Sequence, residues 1–153
     1  MRNNMRYLLI IFIFITSLNA SNFSIGDQIQ AFTLPDQFGK EHTIDSSIKT
    51  IIVSFEKATG ADMNKFLNAH EPNYLKNHHA VFIANISQMP SLITKLFAMP
   101  KMKKYKHTIL IINDEDNHQF LHYEDKIVIY TLKNGVISEI NFVYTAKEVQ
   151  EKL

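Results

Sequence analysis

Short β-branched runs alternate along the chain with longer segments of helical spacing. Ile51-Ile52-Val53 is continuously apolar, as a central strand covered on both faces should be. Residues 80–86 (AVFIANI) and 108–112 (TILII) predict two more buried strands. Between these runs, residues 62–77 carry Met63, Phe66, Leu67, Tyr74 and Leu75 on one helical stripe, with Pro72 placed to break or kink it. Residues 87–105 predict a second helix with Leu92, Ile93, Leu96 and Phe97 as its apolar stripe and Pro100 interrupting its far end.

Ahead of the first run, Phe32-Thr33-Leu34 alternates in the strand manner, and residues 35–40 (PDQFGK) form a turn cluster. His42-Thr43-Ile44 then returns, which predicts an N-terminal hairpin. After the third run, residues 113–117 (NDEDN) read as a turn from which residues 118–123 return as a strand. Residues 126–132 and 136–144 predict a last pair joined by Lys133-Asn134-Gly135, a hairpin turn of the Asn-Gly type. Thr145-Ala146-Lys147-Glu148 has capping-box spacing, so a short final helix starts at Thr145. There are no repeats, low-complexity tracts or interdomain linkers.

The first twenty residues read differently. Arg2 and Arg6 precede an unbroken apolar run over residues 8–15 (LLIIFIFI), and a small, polar end follows at Asn19-Ala20. This is the pattern of a secretory signal peptide cleaved after Ala20, leaving one domain over residues 21–153. The alternative, an uncleaved anchor, meets a run far shorter than the ~20 residues a spanning helix needs. Ser21 rules out lipid attachment through a cysteine at that site. Export would put the protein in the periplasm.

Charge narrows the partners. The whole chain carries 16 Lys+Arg against 15 Asp+Glu, and the part after residue 20 carries 14 against 15. A field so near neutral selects neither nucleic acid nor anionic lipid, and no stable membrane insertion is expected once the leader is removed. The chain has no cysteine, so no disulfide helps hold an exported fold and the core must suffice.

Gly26-Asp27, Phe32-Thr33-Leu34 and Asp36-Gln37-x-Gly39-Lys40 resemble the opening of peroxiredoxins and related redoxins. Residues 108–114 (TILIIND), 129–135 (IYTLKNG) and the ending Glu148-Val149-Gln150 look closer to a narrower group, the YtfJ-type periplasmic proteins of Gram-negative bacteria. The resemblance implies a thioredoxin-like, three-layer α/β/α sandwich with a mixed central sheet and an N-terminal hairpin. It also implies a periplasmic location, and no particular activity. In redox-active relatives the strand–loop–helix unit matching residues 50–67 holds the reactive thiol at a helix N-terminus, where backbone N–H groups stabilise the thiolate. Aligning Thr59 with a T-x-x-C motif puts Asp62 where that thiol would stand, and a carboxylate cannot replace it. Counting back from Lys133-Asn134-Gly135, Ile127 occupies the position of the substrate-docking cis-proline, and a non-proline cis bond would cost ~3 kcal/mol.

The candidate site is therefore the former active-site cleft, with Glu56, Lys57, Thr59, Gly60, Asp62 and Ile127 as its residues and a face that extends over residues 125–128. Asp62 also reads as a helix N-cap, and Glu56 with Lys57 as a solvated pair. The leading expectation is a binding or accessory module without thiol redox activity, needing no cofactor and acting on a periplasmic protein or small ligand. A second is an enzyme using Glu56, Asp62 and His122 as acid/base groups. A third is a histidine-based metal carrier. Its weak candidates are His118 and His122, four apart on a presumed strand, alongside the adjacent His78 and His79, and neither pair has a third ligand by spacing. Asp114-Glu115-Asp116 has the look of a calcium loop but lacks Gly at its sixth position and has Asp125 where a bidentate Glu belongs, so a turn is expected. Lys101, Lys103, Lys104 and Lys106 cluster around Tyr105 and read as a solvated helix end or as a dock for an acidic partner or lipid head group.

Overall fold

The computed structural model describes residues 22–114 and 118–153. The expected leader over residues 1–20, and Glu115, Asp116 and Asn117 of the expected turn, lie outside the described residues.

The hairpin forms as the alternation predicts, with β1 (Phe32–Pro35) antiparallel to β2 (Glu41–Ile44). Gly39, at φ +82°, takes the left-handed turn position between them. β3 (Thr50–Ser54) is buried at every residue. It lies at the centre of a five-stranded sheet of order β5-β4-β3-β6-β7. β4 (Ala80–Asn85) and β5 (Leu110–Ile112) run parallel to it, while β6 (Ile127–Lys133) and β7 (Val136–Val143) form the antiparallel side. The turn between them places Asn134 at φ +53° and Gly135 at φ +79°, the left-handed pair that an Asn-Gly turn requires.

The sheet separates two cores. On one face Ile52, Phe82, Ile127 and Ile129 meet α1 (Lys57–Asn68), α2 (Tyr74–Asn77) and α5 (Ala146–Gln150). On the other, Ile51, Val53, Val128 and Tyr130 meet Ile29, Leu34, Ile44 and Phe120. The α/β arrangement with a mixed sheet and an N-terminal hairpin is as expected. Its outer layers differ in kind: helices cover one face, and the hairpin with loop segments covers the other. Each fully buried Ile or Phe contributes roughly 1.5–3 kcal/mol by leaving water.

Three local expectations are corrected. α1 begins at Lys57, five residues before the expected start. Glu56 is its extended N-cap residue at φ −106°, and Thr59, Met63, Asn64 and Leu67 form the buried face. Gly60 therefore lies inside a helix, where it was expected in a loop. The run ends at Asn68, and α2 follows Pro72 as a separate turn, the break that proline predicted.

Residues 118–123 form no strand, so His118 and His122 share no strand face. Phe120 is drawn into the core, and the Leu121 N–H donates 2.7 Å to the buried Tyr130 hydroxyl instead of to a ladder. Burial pushes the Tyr130 phenol up to about 12 despite that hydrogen bond.

The third correction concerns residues 87–105. Helix forms only as α3 (Ser91–Ile93), a π-helical turn (Thr94–Ala98) and α4 (Met99–Met102), with Pro100 in the first turn of α4. Leu92, Ile93, Leu96 and Phe97, expected to be buried, are 44–65% exposed. Thr94 is buried in their place, with its hydroxyl donating to the Pro90 carbonyl at 3.3 Å. A π turn holds one residue more than an α turn, so it shifts the phase of the side chains that follow.

The final helix starts as predicted. The Thr145 hydroxyl accepts from the Glu148 N–H, and the Glu148 carboxylate accepts from the Thr145 N–H at 2.9 Å. The Thr145 hydroxyl, which also donates to this carboxylate at 2.9 Å, and the Thr145 N–H hold the exposed Glu148 carboxyl below the ordinary range.

Candidate functional site

In α/β sheets the ligand crevice lies beyond the C-terminal ends of the parallel strands. Here that crevice opens beyond Ser54 of β3 and Asn85 of β4 as a cavity of about 260 Å³. Glu56, Lys57 and Gly60 of the α1 start line one wall. Ile93, Phe97 and Lys101 line the other, with Ile86 and Met89 between them. The walls are mainly aliphatic and aromatic, and their charged groups are Glu56, Lys57 and Lys101.

Glu56 is the most engaged polar group of the site. Its Oε1 lies 2.5 Å from His122 Nε2, and its Oε2 accepts from the Thr59 hydroxyl at 3.3 Å. The His122 ring stacks on Phe55 at 4.4 Å between centroids. Thr59 also donates to the Glu56 carbonyl at 3.1 Å, which turns its hydroxyl inward from the cleft. A loop without secondary structure thus brings His122 to the α1 N-terminus, the partner that strand periodicity did not find.

Asp62 and Ile127 stand apart from this group. The Asp62 carboxylate accepts from the Ala146 N–H at 2.7 Å, the first N–H of α5. It caps a helix from outside, tying α1 to α5. Such a cap stabilises by about 1 kcal/mol. The expectation that Asp62 caps the helix it begins is corrected: it lies inside α1, whose N-cap is Glu56, and caps α5 instead. Ile127 is fully buried in the helical-side core and paired with Val143, and none of the described peptide bonds is cis. Of the six residues expected to form the site, the structure places Glu56, Lys57 and Gly60 on the cleft. It puts Thr59 behind Glu56, and Asp62 and Ile127 elsewhere.

Two side chains at the floor were not singled out by the sequence. Asn64, buried on α1, lines the cleft, and its Oδ1 accepts from His107 Nε2 at 2.9 Å. His107 is 3% exposed and stacks on Tyr105, and burial pushes its imidazole down to about 4. It is therefore neutral at pH 7, with the Nε2 proton fixed on Asn64. Its Nδ1 is buried without a partner. The helical period placed Asn64 beside Met63 on the buried face. No spacing linked it to a histidine forty-three positions away.

Among the described residues no three His, Asp or Glu side chains group to hold a metal ion. No described helix is long and apolar enough to cross a membrane.

No protein-family model matches the chain, and no curated protein matches it. Solved structures do. A putative protein disulfide isomerase from Bacteroides thetaiotaomicron is 16% identical, with a TM-score of 0.54 over 84% of this chain and 85% of that one. The thioredoxin domain of a thiol-disulfide oxidoreductase from Bacteroides vulgatus is also 16% identical, with a TM-score of 0.54 over 86% and 98%. A peroxiredoxin-like protein from Aquifex aeolicus is 9% identical, with a TM-score of 0.51 over 86% of each chain. At such identities the likeness establishes the thioredoxin fold.

Proposed function

We propose that this is an exported thioredoxin-fold protein that binds a ligand or partner through the cleft at the α1 N-terminus and performs no thiol chemistry. The YtfJ-type resemblance and the leader pattern over residues 1–20 support the periplasm as its location. One observation carries the binding reading. The crevice of the redox fold is open and largely apolar, yet the chain contains no cysteine to react in it. Its chemistry suits an apolar group bearing a polar end, held by contact with Phe97 and Ile86 and oriented by Lys57, Lys101 or Asn85.

Gly60 provides the test. A Cβ there would sit 3.4 Å from Ser54 Oγ, an ordinary contact, while adding a methyl to the cleft wall. Gly60→Ala is expected to raise stability by about 0.5–1 kcal/mol, because glycine is costly inside a helix. A photo-crosslinking residue at Ala61, on the same wall, should capture a partner in cells, and one at Lys133 on the opposite hairpin should not. The capture at Ala61 should fall when Gly60→Ala is added. Equal capture from both positions, or capture indifferent to the methyl, would overturn the reading. So would reduction of insulin or consumption of hydroperoxide by the purified chain.

A second reading, acid/base catalysis without thiols, is favoured by the Glu56–His122 pair alone, since Asp62 is committed to α5. It requires Glu56→Gln to abolish turnover while leaving capture at Ala61 intact. Loss of capture without any turnover to lose returns Glu56 to a binding role.

A further inference from the structure

Charge is unevenly distributed in this nearly neutral chain. Residues 72–113 contain six lysines and no acidic residue, while the rest of residues 22–153 holds eight lysines and fifteen acids. Within the basic segment, Lys95, Lys101, Lys103, Lys104 and Lys106 are all exposed on or just after the α3–α4 unit. None of them forms an ion pair among the described residues.

Leu92, Ile93, Leu96 and Phe97 stand out from that same unit. They are half of the eight large hydrophobic residues exposed in the described chain, gathered within six positions. Leu92 is 65% and Leu96 58% exposed, and neither lines the cleft. They project outward, whereas Ile93 and Phe97 turn toward the cavity. Exposed leucines and exposed lysines carried on one short helical unit are the chemistry of a segment lying at a membrane interface, its apolar tips among the acyl chains and its ammonium groups at the phosphates.

We propose that the α3–α4 unit docks this protein peripherally on an anionic phospholipid surface. Charge complementarity selects the occupant. All fourteen cations after residue 20 are lysines, because both arginines lie at positions 2 and 6. Lysine is a point charge without the planar fork that reads a carboxylate bidentately, so the patch suits a diffuse layer of phosphates better than an acidic peptide. The outward leucines fit the same choice, since a peptide would seat in the concave cleft beside them. The docking does not depend on cleft binding, and the Ala61 crosslink reports on the cleft separately.

The test is flotation of the chain beginning at Ser21, the form that cleavage after Ala20 would leave. At roughly 0.1 M salt it should rise with phosphatidylglycerol-rich vesicles and stay behind with phosphatidylcholine vesicles. Raising the salt should release it. Each lysine near the surface is worth about a five-fold change in partition, so Lys103→Gln, Lys104→Gln and Lys106→Gln together should weaken binding on the order of 100-fold. Leu92→Ser with Leu96→Ser, positions already in water, should preserve the circular dichroism spectrum and lower partition at least ten-fold. If a variant does not fold, the lipid and salt series on the unaltered chain decides. The proposal is overturned by no flotation on anionic vesicles, by equal flotation on neutral ones, or by folded variants that float unchanged. Binding to an acid-rich apolar peptide, with vesicles left untouched, would overturn it in favour of a protein partner.

Discussion

Acidification from pH 7 to pH 4 is expected to cost about 3 kcal/mol of folding stability through His107 alone. The ring is sealed in the core with its only hydrogen bond to Asn64, and burial lowers its pKa from 6.5 to about 4. Between those two values the unfolded chain takes up a proton that the folded chain refuses. Stability is therefore fully present above pH 6.5, falls as pH drops toward 4, and changes no further on this account below it. Urea unfolding at both pH values, on the natural chain and on His107→Gln, isolates the effect. Glutamine keeps an N–H for Asn64 and does not titrate. The natural chain should lose about 3 kcal/mol more than the variant over the interval. Parallel losses would show that the ring is protonated inside the fold.

Gln37→Ala is expected to cost about 2–4 kcal/mol at neutral pH, a fall of about 10 °C in Tm. Gln37 is 1% exposed and fills the place of a strand residue with its side chain. Its Nε2 donates to the His107 carbonyl at 2.8 Å, and its Oε1 accepts from the Ile109 N–H at 2.9 Å. Beside it Asp36 bridges to Leu110, fastening the hairpin to the edge of β5. Burial would raise the Asp36 carboxyl, but hydrogen bonds from His42 and from the Phe38 and Lys40 N–H groups outweigh it and hold the carboxyl below the ordinary carboxylate range. Alanine at 37 would leave two buried backbone groups without partners, which costs more than the bonds themselves were worth. Thermal unfolding measures the loss. Gln37→Glu, which keeps the acceptor but sets a carboxylate against the His107 carbonyl, should do no better. A shift of only a degree or two in both variants would mean that water reaches the site.

Much of this fold was legible because strands and turns advertise themselves locally. Residues 51–53 admit only a doubly covered strand, Asn134-Gly135 only a tight hairpin, and Thr145 with Glu148 a helix start. The motif Asp36-Gln37-x-Gly39-Lys40 resembles the redoxin opening, and its physical content is the pair of bonds to backbone made by Gln37 together with the turn at Gly39. What stayed hidden depends on distant partners. Glu56 and His122 meet across sixty-six positions through a loop with no period of its own. Asp62 reads as the cap of its own helix until α5 is seen against it. The stripe Leu92, Ile93, Leu96 and Phe97 has the spacing of a buried face, and periodicity alone does not say whether such a face meets core or surroundings.

The pairing of the two ends of the sheet also bears on when the chain can fold. Gly26 and Ile29 donate to the carbonyls of Ile137 and Gly135, and the Ile137 N–H donates back to Asp27. The middle strand β3 has one neighbour, β6, that begins only at Ile127. A nascent polypeptide therefore cannot close its sheet until almost its last residues have been made, because its earliest strands wait for its latest. Were the expected leader to direct export, late closure of this kind would leave the chain threadable through a translocation pore for most of its synthesis.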